Sequence, residues 1–193
     1  MASELQIDKR SPSDFWDDQH KKLASEPLTW TLTADELLRA FELLATQVKE
    51  DLAKAHEQRN NYIPSTFSSA LMLAGFAIEN MLKALLVTQR PAFDSSGNFS
   101  FKTHDLLKLA DDVGLNLSMD ERILLERLEQ FLTWAGRYPV PLCADTMRPR
   151  TLPSGGFAPR TYGWIDGDFQ EIRTLTNKLR SKLEVISDGS DAI

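Results

Sequence analysis

At 193 residues, with 42 % apolar and 26 % charged side chains, the chain has the make-up of one soluble globular domain large enough to bury a substantial core. A net charge of −6 argues against a globally basic nucleic-acid binder but leaves room for a local basic surface. The single cysteine, Cys143, excludes an internal disulfide and points to a reducing, cytoplasmic compartment, and the polar start of the chain lacks the basic-then-apolar order of a secretory signal.

Residues 1–32 are polar and mixed, and are expected to form an arm. Phe15, Trp16 and Trp30 suggest that this arm docks, either on its own core or on a partner, and Ser25-Glu-Pro ends any early helix. Residues 33–187 are expected to make a single helical-bundle domain, with a frayed tail at 188–193. Thr33-Ala-Asp-Glu36 has the form of a capping box. Leu37, Phe41, Leu44, Val48, Leu52 and Ala55 then fall at helical spacing, which predicts a helix over about 34–59. Pro64 interrupts, and a second helix is expected over about 65–89, closed by Arg90-Pro91.

That second helix is apolar nearly all round, as a helix inside a bundle must be. Glu79, Asn80 and Lys83 break the pattern. Glu79 and Lys83 lie four residues apart in the favourable order, acid before base, and such charges in lipid would be costly, so no membrane span is expected. Ser95-Ser-Gly-Asn98 marks a turn. A short helix from Leu106 should stop before Gly114. Ser118-Met-Asp-Glu121 is another capping box, opening a helix that buries Leu124, Leu125, Leu128, Phe131, Leu132 and Ala135 and ends near Gly136 and Pro139.

Residues 139–165 hold five prolines and Gly155-Gly156, a long loop of the kind that is usually either functional or disordered. Asp166 or Asp168 is expected to cap a last helix with Phe169, Ile172, Leu175, Leu179, Leu183 and Ile186 on one face. The predicted fold class is all-α: an up-and-down bundle of four or five helices with a Pro/Gly/Arg-rich loop before the last.

Four groups of side chains are candidates for chemistry. Glu79 and Lys83 are either a structural ion pair or part of a phosphate-positioning cleft, with Asn80 beside them. His104 and Asp105 stand at a helix start, where capping by Thr103 or Asp105 competes with an acid–base role for His104. Arg137 and Tyr138 stand at a helix end, where a cation is favourable in any case. Arg148, Arg150 and Arg160, with Tyr162 and Trp164, are a solvated loop, an arm that covers a neighbouring subunit, or a surface for single-stranded RNA that combines charge with stacking. His20 and His56 read as surface residues, Cys143 has no base beside it, and no spacing suggests a metal or cofactor.

Ala77-Ile-Glu-Asn-Met-Leu-Lys-Ala-Leu-Leu86, then Thr103-His-Asp-Leu-Leu-Lys-Leu109, then Gly136-Arg-Tyr-Pro139, taken in order, resemble the HEPN superfamily of small helical bundles. The resemblance covers roughly residues 67–140. It implies a homodimer that binds RNA or nucleotide phosphate, in many members as a metal-independent ribonuclease of toxin–antitoxin, phage-defence or RNA-processing systems. In others it implies a non-catalytic module that binds a protein partner such as an antitoxin or a nucleotidyltransferase. Active members carry an arginine and then, after four to six intervening residues, a histidine. Arg137 matches the arginine, but Leu142, Cys143 and Ala144 stand where the histidine should fall. A shared cleft would require Arg137 within reach of Glu79, Lys83 or His104, with His104 standing in for the missing histidine.

Overall fold

A computed structural model of the chain describes residues 12–58, 66–138, 140–141, 143–144, 150–151, 157–158 and 167–190. Among these are six α-helices: α1 (Pro12–Ser25), α2 (Pro27–Glu57), α3 (Phe67–Gln89), α4 (Leu106–Val113), α5 (Met119–Gln130) and α6 (Asp168–Ser190). A π-helical turn, Phe131–Ala135, continues α5. Two two-residue strands, β1 (Arg150–Thr151) and β2 (Phe157–Ala158), pair antiparallel inside the long loop. The molecule is an all-helical bundle with one addition that alternation did not predict.

Helix α3 is the axis of the bundle: α2, α4, α5, the π turn and α6 all pack against it. Burial explains its composition. By length and hydropathy α3 could cross a membrane, but here 72 % of its most apolar window is buried by protein. Phe41 from α2, Phe67 from α3, Phe131 from the π turn and Phe169 from α6 close the core, in contacts such as the edge-to-face pair Phe41–Phe169 with centroids 5.4 Å apart.

The termini of the middle helices follow their capping residues. Asp105 accepts the Lys108 amide at 2.8 Å, and Gly114 ends α4 in the left-handed region at φ 73°. At α5 both halves of the capping box form: the Ser118 hydroxyl accepts the Glu121 amide at 3.2 Å, and the Glu121 carboxylate accepts the Ser118 amide at 2.7 Å.

Three expectations need correction. The Thr33–Glu36 pattern is not a helix start, because α2 begins at Pro27, whose fixed φ suits the first helical position. The Thr33 hydroxyl instead donates to the Thr29 carbonyl inside the helix, at 3.1 Å, so residues 27–32 belong to the bundle rather than the arm. Of the two candidate caps of α6, Asp166 lies outside the described residues, and the other is Asp168. It is the first helical residue, follows Gly167 at φ 96°, and is held by the Arg127 guanidinium of α5, with one contact of 2.9 Å. Finally, α6 runs to Ser190, into the stretch expected to fray. Residues 191–193 lie outside the described residues.

Two glycines set how closely α5 approaches α3. A β-carbon at Gly136 would lie 2.7 Å from the Met72 β-carbon and 2.7 Å from the Phe131 carbonyl oxygen, so even one methyl group does not fit. Gly75 faces Leu132 nearly as closely. Gly136→Ala should therefore cost about 1–3 kcal/mol, the usual penalty for overpacking, and lower the midpoint of a thermal melt followed by circular dichroism. An unchanged midpoint would show that the π turn yields freely.

Ion pairs tie the outer faces together, among them Arg173–Glu42 and Arg180–Asp35 between α6 and α2. The Arg173 hydrogen bond, against some opposing desolvation and with help from the charges of Arg173 and Lys49, holds the Glu42 carboxyl below its ordinary value of 4.5. A carboxyl depressed in the folded state stabilises the fold above its unfolded value and loses that contribution as pH falls through the folded one. Glu42 is nearly half-exposed, so Glu42→Gln should cost only roughly half a kcal/mol at neutral pH. In urea unfolding the gap between variant and wild type should close as pH drops below 4.5. A gap independent of pH would mean that the carboxylate charge contributes nothing.

Candidate functional site

Burying a charge is unfavourable unless it is paired, and α3 buries two. Glu79 and Lys83 are 4 % and 7 % exposed. The Lys83 ammonium donates to Glu79 Oε1 at 2.6 Å, and the pair is local to the helix. The second carboxylate oxygen, Oε2, is met from the loop before α4, where His104 Nδ1 lies 2.8 Å away. A carboxylate only accepts, so Nδ1 is the donor and carries the proton. In the neutral ring Nε2 is then a lone pair. The His104 side chain is 58 % exposed, so the arrangement is a solvent-accessible imidazole whose orientation is fixed by a buried acid.

Aromatic rings frame this cluster. Phe76, one turn before Asn80 on α3, meets the His104 ring edge-on at 6.1 Å. Trp30 of α2 lies over Lys83, with the ammonium 5.7 Å from its ring centre, a cation–π contact. The far side of Trp30 stacks on Phe99 at 5.6 Å and 14°, and its indole N–H donates to the Ala24 carbonyl at the end of α1 at 2.9 Å. Trp30 thus docks on its own bundle, the first of the two possibilities its sequence position left open. Its role over Lys83 was not readable, since 53 positions separate the two residues. Phe76 and Phe99 were also missed as site residues.

The remaining candidates are placed as follows. The Asn80 amide donates to the Phe76 carbonyl of its own helix at 2.7 Å. Asp105 caps α4 and borders an open groove of about 440 Å³ that also receives Asp111, Asp112, Glu126 and Glu129, with Lys108 as its cation. The exposed Arg137 guanidinium turns back on its own helix, donating to the Leu132 and Thr133 carbonyls at 3.1 and 2.9 Å, and lies 5.6 Å from the Tyr138 ring. These are carbonyls near the end of the π turn, where a cation is electrostatically favoured. Tyr138 is half-exposed. Among the described residues no hydrogen bond or ion pair joins Arg137 to Glu79, Lys83 or His104, so the direct contact expected of a cleft is not formed. The two ends do share one stripe of α3. Gly136 packs on Met72, and His104 packs on Phe76, one turn further along, about 6 Å. Arg150 lies in β1, while Arg148, Arg160, Tyr162 and Trp164 fall outside the described residues.

No family model matches this chain, no curated protein matches it, and no solved structure matches it. The fold and the site define its class: a helical bundle whose central helix carries a buried glutamate–lysine pair, with that glutamate orienting a surface histidine.

The hydrogen-bond geometry fixes a tautomer. At alkaline pH, nitrogen-15 spectra should show the His104 proton on Nδ1 and a bare Nε2, readily sorted because the chain has only three histidines. A proton on Nε2 would mean that the Glu79 contact is not a hydrogen bond from this ring.

Proposed function

We propose that this protein is a HEPN-like bundle that binds RNA or nucleotide phosphate beside α3, and that His104 supplies the acid–base group for cleaving an RNA strand. The observation that carries the reading is the 2.8 Å contact from His104 Nδ1 to buried Glu79, which leaves Nε2 as the outward-facing base. In this reaction Nε2 takes the proton of a ribose 2′-hydroxyl. The 2′-oxygen forms a bond to phosphorus as the bond to the 5′-oxygen breaks, and water protonates the departing 5′-oxygen. The products are a 2′,3′-cyclic phosphate and a 5′-hydroxyl end. Glu79 holds the ring in place, while Lys83 keeps Glu79 paired.

Arg137 is the cation available to a phosphate here, because Lys83 is buried on Glu79. Swinging the guanidinium away from the Leu132 and Thr133 carbonyls frees its planar donors for phosphate oxygens. The acidic groove beside Asp105 repels a polyanion, so the strand approaches from the Phe76–Gly136 side. The same groove favours a second reading: a non-catalytic HEPN-like module whose acidic face meets a basic protein partner.

The test uses an end-labelled single-stranded RNA. Wild type should retain and cut it without added metal. His104→Ala should abolish cutting while retaining the RNA; it leaves Glu79 Oε2 without its partner, so the melting temperature should fall, with the helical circular-dichroism spectrum at assay temperature unchanged. Arg137→Ala should weaken retention at least tenfold. Full cutting by His104→Ala removes His104 from the chemistry, and no retention by wild type leaves the partner-binding reading.

A further inference from the structure

We infer that the groove between α2 and α6 is a binding site for an organic carboxylate, received by the guanidinium of Arg39 and the side-chain amide of Asn177. The inference stands apart from the proposed chemistry, which lies on α3 and the loop before α4. The groove is open and holds about 480 Å³. Positions 35, 39 and 42 follow helical spacing on α2, as do 173, 177 and 180 on α6, so each set shares one face of its helix. Arg180 donates to Asp35 at 2.6 Å, and Arg173 grips Glu42 through two contacts of 2.7 and 2.6 Å. These two bridges run the helices antiparallel. At the level between them stand Arg39 and Asn177.

The bridges leave one cation over. Arg39 follows Asp35 by four residues, the order in which an acid and a base usually pair along a helix. Asp35 is drawn across the groove to Arg180 instead. Arg173 is committed as well, since its guanidinium also lies 6.0 Å from the centre of the Phe41 ring. Among the described residues, neither Arg39 nor Asn177 makes a side-chain hydrogen bond or ion pair, and both are exposed. Three arginines thus line the groove against two carboxylates, and the unspent charge is that of Arg39.

Charge and shape select the ligand. One uncompensated cation calls for one negative charge. A planar guanidinium matches the two oxygens of a carboxylate with two parallel hydrogen bonds, and the Asn177 amide has N–H donors for a third. A phosphate dianion would set its second charge between the Asp35 and Glu42 carboxylates, which repel it. Leu38, half-buried in the same groove, offers apolar surface to the hydrocarbon part of an organic acid. The groove is open and its donors are hydrated, so the dissociation constant should be on the order of millimolar.

Benzoate is the probe. Titrated into the nitrogen-15-labelled full chain, with ionic strength held constant by sodium chloride, it should shift the Arg39 Nε–H and Asn177 side-chain amide signals saturably. The Arg173 and Arg180 signals should stay in place. Neutral benzamide should shift neither Arg39 nor Asn177, and inorganic phosphate should bind more weakly than benzoate. Arg39→Gln should abolish the saturable shift at Asn177 with an unchanged melting temperature, because Arg39 bonds to nothing in the described fold. Shifts that never saturate overturn the inference. So does phosphate or benzamide binding as tightly as benzoate, or an Asn177 response that survives in Arg39→Gln.

Discussion

The structure depends on a helix that must be apolar on every side and yet carries Glu79 and Lys83. Five elements pack on α3, and they leave to water a half-buried stripe that includes Met72, Phe76 and Asn80. Two ionised groups there have to satisfy one another, and the 2.6 Å contact across one helical turn does so. A carboxylate has more acceptor capacity than one ammonium uses. The remaining oxygen draws His104 from the loop before α4, and the remaining flank of the ammonium is covered by Trp30 from α2. The site is therefore a consequence of core packing: the loop and the long helix are positioned by what the buried pair still lacks.

Features decided within one turn of helix were legible in the sequence. The start of α4 at Asp105, its stop at Gly114 and the capping box at Ser118 depend on contacts between residues no more than four apart, and each reads correctly. The start of α2 shows the limit of such reasoning. Thr33 and Glu36 offer a capping box, but the pattern is only permissive. Once Pro27 sets the helical φ and Thr29 accepts the Thr33 hydroxyl, nothing stops the helix from running straight through. The π turn was not legible at all. It arises where Gly136 must clear Met72, a contact between positions 64 apart.

The same division runs through the site. The Glu79–Lys83 pair follows from spacing alone, and its structural reading is the one the geometry displays. That Arg137 sits at a helix end was also readable, and its hydrogen bonds to Leu132 and Thr133 are the local outcome such a position favours. Which partner takes the second oxygen of Glu79 was not readable, because His104 lies 25 residues away in a loop. Sequence motifs fix the inventory of polar groups. Tertiary packing decides which of them share a proton.

This has a consequence for how a polyanion would be held. Lys83 contributes no net field, since Glu79 cancels it within 2.6 Å. The chain as a whole carries −6, and the nearest groove is acidic. Long-range steering is therefore repulsive at ordinary ionic strength, and added salt screens that repulsion as well as any attraction. Affinity on this face must come from short-range terms: the planar donors of Arg137 once turned outward, the Tyr138 ring beside them, and the imidazole of His104. On the proposed reading, a surface of that kind would select an unpaired nucleotide that brings phosphate and base close together, over a duplex held by its backbone charge alone.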